Sequence, residues 1–169
     1  TGPEKIYIFL KTMPMKNRTV LFVDDEENTL KSIERGLRKE KFKRLYALDG
    51  FEAKKIIKKE DINIIITDMN MPGMDGLSLL NWVEKENPQI IRMVLSMKDD
   101  TSTILEAINN GNIYRYIIKP CENRELKSAI EQSLEVYELK EEKRKLVNKL
   151  EEYNKTLEKE VESRTNQLL

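Results

Sequence analysis

Five short runs rich in aliphatic and β-branched residues recur between Arg18 and Pro120, and a stretch of helical periodicity follows each of them. That alternation constrains the fold more than any other feature. The third run, Ile62-Asn63-Ile64-Ile65-Ile66-Thr67-Asp68, is the densest, and Pro72, Gly73 and Gly76 end it sharply. Side chains of this kind at successive positions suit a strand buried on both faces. Further strands are predicted at Thr19–Val23, Lys43–Leu48, Ile90–Leu95 and Ile113–Ile118. Helices are predicted over Glu26–Lys39, with Leu30, Ile33 and Leu37 on one stripe, and over Gly50–Lys59, with Ala53, Ile56 and Ile57. A third covers Asp75–Glu86 with Leu77, Leu80, Trp82 and Val83 inward. A fourth runs to Asn109, with N-cap chemistry at Asp100–Thr103 and Gly111 as C-cap. Five strands alternating with helices imply an α/β fold: a doubly wound parallel sheet of order 2-1-3-4-5, with right-handed crossovers and helices on both faces.

Such a sheet places its ligand sites at the carboxyl ends of its strands. Four of those ends carry polar groups: Asp24 and Asp25 after the first strand, Asp68 after the third, Ser96 after the fourth and Lys119 after the fifth. Strands one and three are neighbours in this order, so the three carboxylates lie close together. Each pair then repels by about 1 to 4 kcal/mol at contact, depending on the effective dielectric. Hard oxygen ligands without sulfur or imidazole select Mg²⁺ or a similar ion. A carboxylate beside Mg²⁺, with an ammonium group opposite and a hydroxyl at the rim, suits in-line phosphoryl transfer. Asp68 is the expected nucleophile, forming an acyl phosphate. Lys119 neutralises charge on the transferred group, and Ser96 donates a hydrogen bond to it.

Composition removes several other classes. The 169 residues contain no histidine, which excludes Ser-His and Cys-His catalysis and deprives zinc of its usual nitrogen ligand. The formal charge is zero, so there is no general electrostatic pull toward nucleic acid or membranes. No apolar run is long enough to span a bilayer, and the single Cys121 suits a reducing, cytoplasmic setting. Residues 1–17 are read as an N-terminal extension, either added ahead of a start near Met15 or forming an extra edge strand.

Beyond Cys121, glycine and proline disappear, and Lys, Glu and Leu dominate. Leu126, Ala129, Ile130, Leu134 and Tyr137 suit a last helix covering the sheet. Val136, Leu139, Leu146, Leu150, Tyr153 and Leu157 then follow at the three-and-four spacing of a coiled-coil seam, interrupted by Lys143. An uninterrupted helix to the end would be roughly 70 Å long, and such a helix calls for a partner, here a second copy. A solvated single helix held by Glu/Lys pairs is the other reading. The domain reading is 18–137 for the globular part and 138–169 for a coiled-coil linker.

The motifs Val23-Asp24-Asp25-Glu26, Thr67-Asp68-Met69-Asn70-Met71-Pro72-Gly73-Met74-Asp75-Gly76, Leu95-Ser96 and Tyr116-Ile117-Ile118-Lys119-Pro120 resemble the receiver domain of two-component response regulators. The resemblance covers about Arg18 to Glu135 and implies a flavodoxin-like fold. It also implies phosphorylation of Asp68 by a sensor histidine kinase or a small phosphodonor. Mg²⁺ would be bound directly by Asp25, Asp68 and the Asn70 backbone carbonyl, and by Asp24 through water. By the same resemblance Ser96 moves toward the phosphoryl group, Tyr116 turns inward, and the face of the fourth helix, fifth strand and fifth helix is reshaped. The chain departs from the family at Met97, where a small residue is usual. Met97 is therefore an expected gate on water access, with unusual charge following at Lys98, Asp99 and Asp100. Cys121, where a larger apolar residue is common, is read as packing.

Leu157 to Leu168 is similar to the helical linkers that join such modules to output domains, which suggests a piece of a longer protein. Gly111-Asn112-Ile113-Tyr114-Arg115-Tyr116 is similar to receivers paired with HD-type cyclic dinucleotide phosphodiesterases. The expected function is a signalling switch rather than an enzyme, with no DNA-binding element. A degenerate receiver acting as a constitutive dimerisation adaptor is the alternative. A haloacid dehalogenase-type hydrolase needs an Asp-x-Asp motif after the first strand, which Asp24-Asp25-Glu26 does not supply.

Overall fold

The structure, a computed structural model, describes residues 18–97 and 100–168. The predicted extension at 1–17 and the charges of Lys98 and Asp99 lie outside the described residues. In chain order the elements are β1 (Thr19–Val23), α1 (Glu27–Leu37), β2 (Lys43–Ala47), α2 (Gly50–Lys59), β3 (Ile64–Asp68), α3 (Gly76–Glu86), β4 (Ile91–Ser96), α4 (Thr101–Asn109), β5 (Arg115–Ile118) and α5 (Asn123–Leu168). The five strands form one parallel sheet of order β2-β1-β3-β4-β5, as the alternation predicts.

Burial explains the order. Every residue of β1 and the first four of β3 are buried, as are five of the six in β4. These strands take the centre because their side chains need cover on both faces. β2 carries Lys43 and Arg44 and lies at an edge, where charge discourages pairing with another chain. On one face, Leu21, Val23, Ile65 and Val94 pack with Ala53 and Ile57 of α2, Leu79, Leu80 and Val83 of α3, and Ile104 of α4. Strand alternation sends Val20, Phe22, Ile64, Ile66 and Met93 to the other face. There the buried Ser133 hydroxyl of α5 approaches Met93 Sδ at 3.3 Å, and a Cβ at Gly36 of α1 would meet the Asn123 side chain at 2.4 Å.

Local chemistry sets the helix starts. Asp49 caps α2 by accepting from Glu52 N at 2.7 Å, while Glu52 accepts from Leu48 N at 2.8 Å. Asp75 is the cap of α3 rather than its first residue, accepting from Ser78 N at 2.7 Å. Two expectations need correction. In α3 the buried set is Leu79, Leu80 and Val83, with Leu77 and Trp82 only partly covered. Trp82 packs against the core and also lies under the ammonium groups of Lys54 and Lys58, at 4.9 and 5.9 Å from its ring centre. In α4 the Asp100 side chain makes no cap hydrogen bond.

The chain separates into two compact units, with the boundary between Glu135 and Val136. In the second unit Leu139, Leu146, Leu150 and Tyr153 are all exposed, and Leu146 and Leu150 keep 59% and 60% of their surface open. None of the described helices is both long and apolar enough to cross a membrane.

Candidate functional site

The sheet order brings together residues far apart in the chain. Asp24 and Asp25 follow β1, Asp68 ends β3, and these two strands are hydrogen-bonded neighbours with Val23 opposite Thr67. One carboxylate oxygen from each of Asp24, Asp25 and Asp68 lies within 4.8 Å of the others. Lys119, one residue past β5, reaches across the sheet end. Its Nζ donates to Asp24 Oδ2 and to Asp68 Oδ1, both at 2.8 Å. The Lys119–Pro120 peptide is cis. Asp24 is 2% exposed and also accepts from Glu26 N through Oδ1 at 2.9 Å, whereas Asp25 faces solvent.

Burial pushes the Asp68 carboxyl above the ordinary 3.8. The Lys119 ammonium pulls it down, but the charges of Asp24 and Asp25 act with burial to raise it. Burial by itself lowers Lys119, yet its hydrogen bonds to Asp24 and Asp68 outweigh that and hold it above 10.5. Lys119 therefore stays charged. One ammonium against three carboxylates leaves net negative charge at the sheet end, and the donor set is all hard oxygen. It fits a Mg²⁺-like ion by charge and by ligand chemistry.

Two glycines shape the loop after Asp68. Gly73 has φ +80°, which a β-carbon disfavours, and the turn around it is closed by Met74 N donating to Pro72 O at 3.0 Å. Gly76 lies against the back of the site: a Cβ there would sit 2.2 Å from the carbonyl oxygen of Asp68. Sequence reasoning took Gly76 as a strand terminator and missed this close approach.

Ser96 is fully buried, and its hydroxyl bonds outside the acidic cluster. Its hydroxyl lies 2.9 Å from Met97 O and 3.0 Å from Asp100 Oδ2. The same Asp100 oxygen accepts from Asn70 Nδ2 at 3.1 Å. Asp100 is thus a second residue whose place the sequence hid, since it was read as a local cap. Tyr116 is half-buried beside the core of α2, α3 and α4. Met97 is 56% exposed. Burial and the Glu125 carboxylate push the Cys121 thiol up.

A protein-family model described as the response regulator receiver domain matches residues 20–131. The hydrogenase transcriptional regulatory protein HoxA of Cupriavidus necator is 33% identical over 123 residues, covering 73% of this chain and 25% of the relative. The chain thus spans about a quarter of that curated relative's length. Among solved structures, one described as adenylate cyclase from Rhodopirellula baltica has 32% identity and a TM-score of 0.75, covering 78% of this chain and 98% of that one. The signal receiver domain of an HD domain-containing protein from Pseudomonas fluorescens Pf-5 has 30% identity and a TM-score of 0.69. That likeness covers 73% of this chain and 98% of the solved one.

Proposed function

This chain belongs to the response regulator receiver domain family, and from that premise we propose that Asp68 is its phosphoacceptor and that Asp24, Asp25, Asp68 and the Asn70 carbonyl hold the Mg²⁺ the transfer needs. The carrying observation is the Lys119 ammonium 2.8 Å from both Asp24 and Asp68, inside an otherwise acidic cluster. Lys119 engages Oδ1 of Asp68, leaving Oδ2 to attack phosphorus. The new bond is Oδ2–P. The bond that breaks is P–N of a kinase phosphohistidine, or P–O of a small acyl phosphate, and the leaving group departs with the electron pair. Mg²⁺, when bound, supplies charge neutralisation at the phosphoryl oxygens. Lys119 orients the acceptor carboxylate and offsets charge from the opposite side. The test is uptake of one phosphoryl group from acetyl phosphate with Mg²⁺, and its loss when the cation is chelated.

The family sets the partner class as a sensor histidine kinase, and a cytoplasmic setting suits the single partly buried thiol. The output is proposed to run through Ser96, Tyr116 and the second unit, whose exposed Leu139, Leu146 and Leu150 suit helix pairing with a second copy. Solution molar mass of the full chain is expected at twice its 19.9 kDa monomer value, with a chain ending at Tyr137 at its own monomer value. A monomeric full chain would remove the pairing.

Met97 is proposed to limit water's approach to the phosphoryl group. Its exposed side chain is bulky and directly follows Ser96. Met97→Ala is expected to shorten the phosphorylated lifetime several-fold in a dephosphorylation time course. An unchanged or longer lifetime removes that role.

A further inference from the structure

We infer that Asp100 is a positioning residue: in the resting chain its carboxylate holds the Ser96 hydroxyl and the Asn70 amide away from the phosphoryl site and so slows phosphoryl uptake by Asp68. The inference rests on Asp68 being the phosphoacceptor. Asp100 Oδ2 is 3.0 Å from Ser96 Oγ and 3.1 Å from Asn70 Nδ2. These two partners come from different segments: Asn70 follows β3 and Ser96 ends β4. Asn70 lies two residues after Asp68, and Leu95, just before Ser96, is opposite Asp68 in the sheet. A single carboxylate oxygen therefore ties together the two segments that border the acceptor.

Helix capping does not explain the arrangement. Asp100 stands at the N-cap position of α4 yet makes no side-chain cap bond. Its backbone N–H donates to Met97 O at 3.2 Å, the same carbonyl that lies 2.9 Å from the Ser96 hydroxyl. The Ser96 hydroxyl has one proton, shared here between Met97 O and Asp100 Oδ2. A phosphoryl group on Asp68 brings three strong acceptor oxygens, so this donor must choose between them and Asp100.

The experiment uses the full chain, acetyl phosphate and Mg²⁺, with uptake followed by intact mass; acetate leaves as the Oδ2–P bond forms. Asp100→Ala is expected to take up the phosphoryl group about tenfold faster than the parent, the scale of one charge-assisted hydrogen bond. Asp100→Asn keeps an acceptor without the charge and is expected to fall between them. In a Ser96→Ala background the gain from Asp100→Ala is expected to shrink to about threefold or less, because the coupled partner is gone. The two Asn70 side-chain amide proton resonances are also expected to draw together in Asp100→Ala, which general destabilisation would not produce. An unchanged or slower rate in Asp100→Ala overturns the inference, as does an undiminished gain without Ser96. Should Asp100→Ala fail to fold, an unchanged rate in Asp100→Asn does the same. A parent that takes up no phosphoryl group overturns the phosphoacceptor reading and this one together, whereas a phosphorylated parent indifferent to Asp100 overturns this one alone.

Discussion

Gly76→Ala is expected to destabilise the folded chain by about 3 kcal/mol, a large part of the roughly 5–15 kcal/mol that holds a domain of this size. Alanine is ordinarily the better helix residue, by about 1 kcal/mol over glycine. At this site the sign reverses. The added methyl would lie 2.2 Å from the Asp68 carbonyl oxygen and 3.1 Å from Met69 Cα, both backbone atoms that cannot rotate away. Relief requires α3 to move off the end of β3, breaking the 2.9 Å hydrogen bond from Gly76 N to Met69 O and disturbing the backbone that aims Asp68. The urea midpoint is expected to fall with an unchanged slope, and phosphoryl uptake to slow with it. A midpoint at or above the parent's would show that the loop yields freely, and that Gly76 has no part in placing the aspartate.

Lys119→Met is the second large effect, and its sign depends on the cation. Without divalent ions the substitution leaves Asp24 and Asp68 facing each other with no counter-charge; their side chains are only 3% and 13% exposed. Breaking such a pair costs about 3 kcal/mol, because the stranded carboxylates stay desolvated. A bound Mg²⁺ replaces the missing positive charge, and a ligand that binds only the folded state stabilises it by mass action. The thermal midpoint is therefore expected to drop in a chelator and to rise more steeply with added Mg²⁺ than the parent's. Phosphoryl uptake is expected to fall even at saturating Mg²⁺, since Lys119 also orients the acceptor oxygen. Equal stability of variant and parent in the chelator would show that Lys119 does not compensate the cluster.

The sheet was legible because its central strands carry their burial in their composition: Ile64, Ile65 and Ile66 have no reading other than cover on both faces. The acidic cluster was legible for a related reason. Once the strand order is assigned, Asp24, Asp68 and Lys119 must meet at one end, although Lys119 and Asp24 are 95 residues apart. Three features were not legible. Asp100 looks like a helix cap from its neighbours, and its partnership with Asn70 spans 30 residues, which no local rule reports. Gly76 reads as a turn residue, and only the packing of α3 against β3 reveals the contact. Helical period alone also left Leu79 out of the inner stripe of α3, where Leu79 is fully buried while Leu77 and Trp82 are only partly covered.

The proposal that the second unit pairs with a copy of itself gives the site a route to output. Ser96 and Tyr116 lie on β4 and β5, and α5 follows β5 and continues from Asn123 to Leu168. A change in the packing of these strands is proposed to act through that helix.

Intact mass after incubation with acetyl phosphate and Mg²⁺, for the parent chain beside Asp68→Asn, bears most directly on the central claim. One added phosphoryl group on the parent and none on Asp68→Asn is the predicted result. Equal uptake by both chains would place the chemistry on another residue, and no uptake by either would leave the receiver fold without a phosphoryl switch.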